Sequence, residues 1–248
     1  MMRPVESVMT RFDDLLLEQR RRGRLAREVM TKLGRRRPTP TEQVSVYADS
    51  HPDVFFVQIG SHDGRKGDPL FPHLETRPGW RGIMVEPVPK YFVALQELRG
   101  ADPRFQLVRA AITIHSGTVE FTTVDTTEEM PEWADQLSSI DPHVVAKHAA
   151  DVPALAEQIR TIQVPAMTFD ELTRDVTRID VLHIDTEGHD AAILDQVDLN
   201  DWTPDLILFE HLHLGADDRR RCVRRLRAAG YRLTSDIDDI LGIRSRTR

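Results

Sequence analysis

Cysteine is almost missing: Cys222 stands alone among 248 residues, which excludes an intrachain disulfide framework and a zinc centre built on several thiolates. Long apolar runs are missing too. No stretch approaches the roughly 18 residues of a membrane span, and the Arg-rich start leads only into Leu15-Leu16-Leu17, too short for a signal-peptide core. Aromatic residues are few, with nine Phe, three Trp and three Tyr. Basic charge is scarce beyond residue 40. Residues 1–40 carry a balance of +6, whereas the rest of the chain carries −13, which makes the main body a poor partner for nucleic acid. These absences lead to the expectation of a soluble, cytoplasmic protein with no membrane span and no nucleic-acid partner. The length suits one α/β domain with an appendage.

Periodicity supplies the organisation. Val5, Met9, Phe12, Leu16, Leu25, Val29 and Leu33 recur at helical spacing, so residues 1 to about 35 read as an amphipathic helix ended by Gly34. Its apolar stripe has to bury against the body or a second copy of the chain, the latter giving a homodimer. Pro38-Thr39-Pro40 reads as a linker. Residues 1–45 are thus an N-terminal helical extension and 46–248 the main domain. In the latter, short apolar runs (54–59, 82–86, 105–112, 179–184, 206–209) alternate with helices from Pro89, Gly188 and Asp217. Residues 118–124 alternate with period two, and 231–234 with 240–243 read as a closing strand pair. Thr168-Phe169-Asp170-Glu171 is a capping box. Residues 125–160 lose the rhythm and read as an inserted lid or substrate loop. The expected fold is α/β and Rossmann-like: a mostly parallel seven-stranded sheet with helices on both faces. Ligands of such sheets bind at the carboxyl ends of the strands.

Five strand ends there carry chemistry. After the first, Gly60-Ser61-His62-Asp63-Gly64-Arg65 fails two phosphate-binding patterns: Arg65 replaces the second glycine of a P-loop, and His62 the second glycine of a dinucleotide turn. Asp63 would repel a pyrophosphate. A cofactor that lacks phosphate and carries positive charge, S-adenosylmethionine, suits such a loop better. Glu86 ends the second strand, where an acid can accept from two ribose hydroxyls. Ala111, after the third, is small enough to flank adenine. Further on, Asp185-Thr186-Glu187-Gly188-His189-Asp190 sets four ionisable groups within six residues, more than helix capping requires. Glu210-His211-Leu212-His213 repeats the theme at the next strand end. Adjacent parallel strands lie about 4.8 Å apart, so Asp185 and Glu210 are placed to converge on a hard divalent cation.

Taken in order, Val57-Gln58-Ile59-Gly60-Ser61-His62-Asp63-Gly64, Val85-Glu86-Pro87, Ile184–Asp190 and Phe209-Glu210-His211 resemble the FkbM-type methyltransferases over residues 54–243. The D-x-E-G-x-[D/E] element is the most specific part. The resemblance implies a class I, S-adenosylmethionine-dependent O-methyltransferase with cofactor contacts from Gly60, Ser61, Asp63 and Glu86. Gln58 departs from it, standing where many class I enzymes have an acid. By position, Asp185, Glu210 and His211 resemble the metal ligands of catechol O-methyltransferase, implying Mg2+ or Mn2+. His189 is the first expectation for the base that deprotonates the acceptor and His143, on the lid, the second. The expected acceptor is a carbohydrate hydroxyl on an oligosaccharide, polysaccharide or glycolipid precursor. A polyketide acceptor is the alternative, and an NAD-dependent oxidoreductase or a non-catalytic adenosine-binding domain the rivals of another class.

Overall fold

A computed structural model describes residues 38–126, 130, 132–151 and 153–244. The helix expected over residues 1–35 lies outside that set. The first described element, α1 (Pro40–Ser50), begins where a linker was expected. Its signal is a capping box: the Thr39 hydroxyl accepts from the Glu42 N–H at 3.2 Å, and Glu42 Oε2 accepts from the Thr39 N–H at 2.9 Å. Pro40 fits the first turn because that N–H has no helical partner. Val44 and Ala48 are buried in the same core as Phe56 and Trp80. The expected boundary at 45/46 therefore falls inside a helix packed onto the domain.

The chain continues through β1 (Val54–Ile59), α2 (Phe71–Thr76), β2 (Trp80–Val85), α3 (Pro89–Arg99), β3 (Phe105–Val108), β4 (Ala111–Ile112) and β5 (Gly117–Val124). A 3-10 turn (Glu132–Gln136), β6 (Ser138–Ser139), α4 (Pro142–Asp151), α5 (Pro153–Ala156), β7 (Ile159–Met167) and α6 (Phe169–Leu172) follow. Last come β8 (Val181–Ile184), α7 (Asp190–Gln196), β9 (Leu206–Glu210), α8 (Ala216–Ala228), β10 (Tyr231–Ser235) and β11 (Asp239–Arg244). Seven strands form the main sheet in the order β10-β11-β9-β8-β1-β2-β3. Only β11 runs against the others. The central strands are buried along nearly their whole length because helices cover both faces. The chain proceeds from β1 towards β3 on one side and returns through β8 on the other. Between β1 and β8 the connections diverge and leave a crevice at the strand ends.

Two expectations change. The strand expected over 105–112 breaks at Arg109-Ala110: β3 stays in the main sheet, and β4 pairs with β7 instead. The stretch 159–167 was not foreseen as a strand, yet β7 organises a second sheet, β4-β7-β5-β6. Pro165 argued against it, since proline cannot donate to a ladder. On its far edge β7 is paired only at Ala166 and Met167, so the missing N–H is tolerated. The period-two run at 118–124 lies in β5, antiparallel to β7 as its alternation suggested.

Candidate functional site

A cleft of about 830 Å³, its open mouth included, lies over the ends of β1, β2 and β8. Its floor is the Gly60 turn. Gly60 has φ +86°, and a Cβ there would sit 1.6 Å from the Asp185 carbonyl oxygen. Only glycine allows β1 to turn so close to the end of β8. The N–H groups of Gly60 and Ser61 both donate to Val85 O at 2.9 Å, and that of His62 donates to Glu86 Oε2 at 2.8 Å. The turn thus spends its donors within the protein and presents no free amide cradle of the kind a pyrophosphate requires.

Glu86 is buried and lines the cleft. Its Oε1 accepts from the Val88 N–H at 2.9 Å, and burial outweighs these hydrogen bonds, pushing its carboxyl up to about 7. Ala110, Ala111, Ile112 and Phe121 make an apolar wall beside it. The opposite lip comes from the insertion: Gln136, Ser138 and Ile140 also line the cleft. His62, at φ +48°, stacks on Tyr91 with ring centroids 3.8 Å apart, and the Tyr91 hydroxyl donates to the Asp135 carbonyl. Lys66 pairs with the Asp135 carboxylate at 2.9 Å. The Gly60 turn and the insertion are therefore stitched together across the mouth.

The acidic stretch divides into groups that build the loop and groups that face the cleft. Asp190 is fully buried, and its carboxylate accepts from the Thr186 hydroxyl (3.1 Å) and from the N–H groups of Gly188 (3.2 Å) and Thr186 (3.4 Å). This loop forces Glu187 to φ +52°, an unusual conformation for a side-chain-bearing residue. Glu187 Oε2 lies 2.9 Å from His213 Nε2, and Glu210 Oε1 lies 3.8 Å from the same nitrogen. One donor atom each of Glu187, Glu210 and His213 falls within 4.8 Å of the others. Glu210 is 8% exposed, and its Oε2 is buried without a hydrogen-bond partner. Burial, followed by the negative charges of Glu187, Asp185, Asp190 and Asp239, raises its carboxyl well above the ordinary range. Asp185 is raised in the same way, by burial and then by Glu187 and Asp190.

Of the residues expected from sequence, Gly60, Ser61, Glu86, Ala111, Asp185 and His189 line the cleft. Asp63 does not; its Oδ1 accepts from the Arg65 and Lys66 N–H groups at 2.9 and 2.8 Å and shapes the turn. His189 sits at the start of α7 with Nε2 buried and unpartnered, and burial lowers its pKa, so its imidazole is neutral near pH 7. His143 is exposed on α4, outside the cleft lining. His211 is not among the donors gathered around Glu210: its Nε2 is 3.2 Å from the Asp236 carbonyl. The donors grouped with Glu210 are thus Glu187 and His213, whereas Asp185 and His211 were the expected ones. His213 sits two residues after His211, and the signal that could have found it is the turn that follows β9. His183, buried in β8 and held near pKa 4 by burial, also lines the cleft and was not singled out.

Fold and cleft together define an α/β methyltransferase-like protein, with the ligand crevice at the point where the strand order reverses. Residues 58–240 match the methyltransferase FkbM domain, and the chain belongs to that family. Among solved structures, an FkbM methyltransferase from Methylobacillus flagellatus KT is similar at 13% identity and TM-score 0.50, the match covering 77% of this chain and 44% of that one. A precorrin-6y C5,15-methyltransferase from Geobacter metallireducens GS-15 matches at 13% identity and TM-score 0.44, over 82% of this chain and 89% of its own. An Aeropyrum pernix fibrillarin, in complex with natively bound S-adenosyl-L-methionine, matches at 11% identity and TM-score 0.41, over 77% and 66%. No curated protein matches the chain. Among the described residues, no helix is long and apolar enough to cross a membrane.

Proposed function

We propose that this chain is an S-adenosylmethionine-dependent O-methyltransferase acting on a carbohydrate hydroxyl, assisted by a divalent cation. The observation that carries the proposal is a single cleft lined by a ribose-type acid, Glu86, a neutral histidine, His189, and Glu187, which groups with Glu210 and His213 outside the lining into a carboxylate-imidazole cluster. When bound, S-adenosylmethionine supplies a methyl group on a cationic sulfur. Glu86 retains lone pairs for ribose hydroxyls, and Ala111 with Phe121 offers an apolar surface to adenine. Asp185 lines the cleft beside the Gly60 turn, where a cationic sulfur would favour its ionised form. The committed N–H groups of the Gly60 turn argue against NAD, whose pyrophosphate would find no donors there.

The chemical difficulty lies with the acceptor, whose hydroxyl is barely ionised at neutral pH. His189, a neutral imidazole that lines the cleft, is the group to take that proton. Glu187, Glu210 and His213 would hold the cation, which supplies Lewis-acid assistance to an alcohol oxygen. Two carboxylates with one imidazole favour Mn2+ or another transition ion over Mg2+, which prefers oxygen ligands alone. Gln136, Ser138 and Lys66 make the mouth polar, and this supports a sugar rather than an extended apolar acceptor. Positioning by the stitched lip supplies the remaining rate.

The test joins titration calorimetry with S-adenosylhomocysteine and NAD to methyl-transfer assays on a panel of mono- and oligosaccharides, with and without EDTA. Binding of S-adenosylhomocysteine alone, and turnover that falls on chelation and returns with Mn2+, is expected. Undiminished turnover in EDTA would remove the cation from the proposal, and transfer only to non-carbohydrate hydroxyls would remove the sugar.

A further inference from the structure

Basic charge, scarce over the domain, gathers on one face of it. Helix α8 carries six arginines and turns them in two directions. Arg221 and Arg225 serve the body: Arg221 pairs with Asp195 at 2.9 Å, and Arg225 donates to the Leu194 and Val197 carbonyls at the end of α7. Arg219, Arg220, Arg224 and Arg227 are exposed. Arg220 pairs with Asp217 in the first turn, whereas among the described residues Arg219, Arg224 and Arg227 have no carboxylate in ion-pair range. Spacings of four and three set Arg220, Arg224 and Arg227 in one row. Beside that row lies a second groove, about 980 Å³ with its open mouth, lined by Arg227 and by Val223, Leu233 and Ile237. Asp236 lines it too, with Oδ1 accepting from the Asp238 and Asp239 N–H groups at 3.2 and 3.0 Å. So does Pro38, the first described residue. Residues 20–37, which lead into it, hold nine Lys and Arg against one acid, Glu28.

A solvated helix face accounts for exposed arginines. It does not account for their meeting an aliphatic groove at the point where a strongly basic stretch joins the domain. Two polyanions attract such charge, and they differ in what else they ask for. A nucleic acid needs cations along its backbone and, when single-stranded, aromatic rings for its bases. Residues 20–37, α8 and the groove lining contain no aromatic residue. A bilayer needs Lys and Arg at its phosphates and aliphatic side chains that enter below the headgroups. Val223, Leu233 and Ile237 offer the aliphatic part in the groove, and Leu25, Val29 and Leu33 offer it in the basic stretch. We propose that the α8 face docks on an anionic lipid surface, with the Arg220-Arg224-Arg227 row on headgroup phosphates and residues 20–37 adding charge. The acidic balance of the rest of the domain repels its other faces from that surface and so orients the chain. The groove shares no lining residue with the cleft, so docking leaves the cleft open.

Flotation of the full chain with lipid vesicles tests this. Vesicles of equimolar phosphatidylglycerol and phosphatidylcholine are expected to carry the protein, and vesicles of phosphatidylcholine alone are not. Added salt should weaken the binding. The double variant Arg224→Ala/Arg227→Ala removes two charges from the row and puts a good helix former at exposed positions, so the fold is kept. Its affinity for the anionic vesicles should fall about 10- to 30-fold, the worth of two arginines beside a charged bilayer. Wild-type affinity in that variant would take the α8 face out of the contact and overturn the proposal. Polyuridylate or a DNA duplex that displaces the vesicles at equal phosphate concentration would give the face to nucleic acid and overturn it as well. So would a wild type that floats with neither kind of vesicle, or with both alike, a result that needs no variant to fold.

Discussion

His189 and Glu86 carry opposite consequences of the same desolvation. Burial disfavours the charged form of each, so the imidazole is held neutral and the carboxyl is pushed up to about 7. For the histidine, this leaves a lone pair available at neutral pH. His189→Ala should therefore cut methyl transfer by about 10²–10⁴, the range of a general base, while titration still finds S-adenosylhomocysteine bound with near wild-type affinity. For the carboxyl, the effect is on stability. Glu86 rises from an ordinary 4.5 to about 7 and Asp68 from 3.8 to about 6, so between those values the folded state holds protons that the unfolded state releases. Stability from these groups is present below the lower values and is lost as pH rises through the upper ones. His183, depressed from 6.5 to about 4, acts in the other direction, but only below 6.5. Thermal melts of the ligand-free protein should thus show a lower Tm at pH 8 than at pH 6.5. A Tm that rises over that interval would contradict these assignments.

At the scale of elements, the turn after β1 and the loop after β8 are one construction. Gly60→Ala would drive a methyl group into the Asp185 carbonyl and force an alanine to φ +86°. A loss of more than about 4 kcal/mol is expected, seen as insoluble protein or a collapsed melting transition. Asp190→Asn puts an amide against donors that need an acceptor, and should cost about 1–3 kcal/mol, lowering Tm by about 2–4 °C for each kcal/mol. The same scale shows what the sequence made legible. Buried parallel strands announce themselves as apolar runs, so β1, β2, β8 and β9 were found, as was the Thr168 capping box. The Thr39 capping box has the same signature and was passed over because two prolines flank it. β7 was hidden by Pro165 and by its polar face, since half of a strand in a one-sided sheet faces water. In the site, acids at strand ends were visible because a strand fixes where its last residue points. Glu187 and His213 lie on turns, where direction depends on a positive φ and on the Asp190 hydrogen bonds, and adjacency in sequence misled towards His211.

On the scale of the whole molecule, the two sheets divide the labour. The seven-stranded sheet supplies Gly60, Glu86, Asp185 and, one turn further on, His189. The four-stranded sheet contributes Ala111 and Ile112 from β4, Phe121 from β5 and Ser138 from β6 to the same cleft. Ser139, next in β6, donates its hydroxyl to the Glu187 carbonyl at 2.8 Å, fastening this sheet to the acidic loop. One hydrogen-bonded slab thus runs from the apolar wall beside Glu86 to the lip formed by the insertion. A shift of β6 to admit a bulkier acceptor would be transmitted through β5 and β7 to β4. If the proposed assignment holds, selection for a new acceptor in this architecture is not a purely local matter, because a tilt of the slab would also move the wall against which the methyl donor would lie.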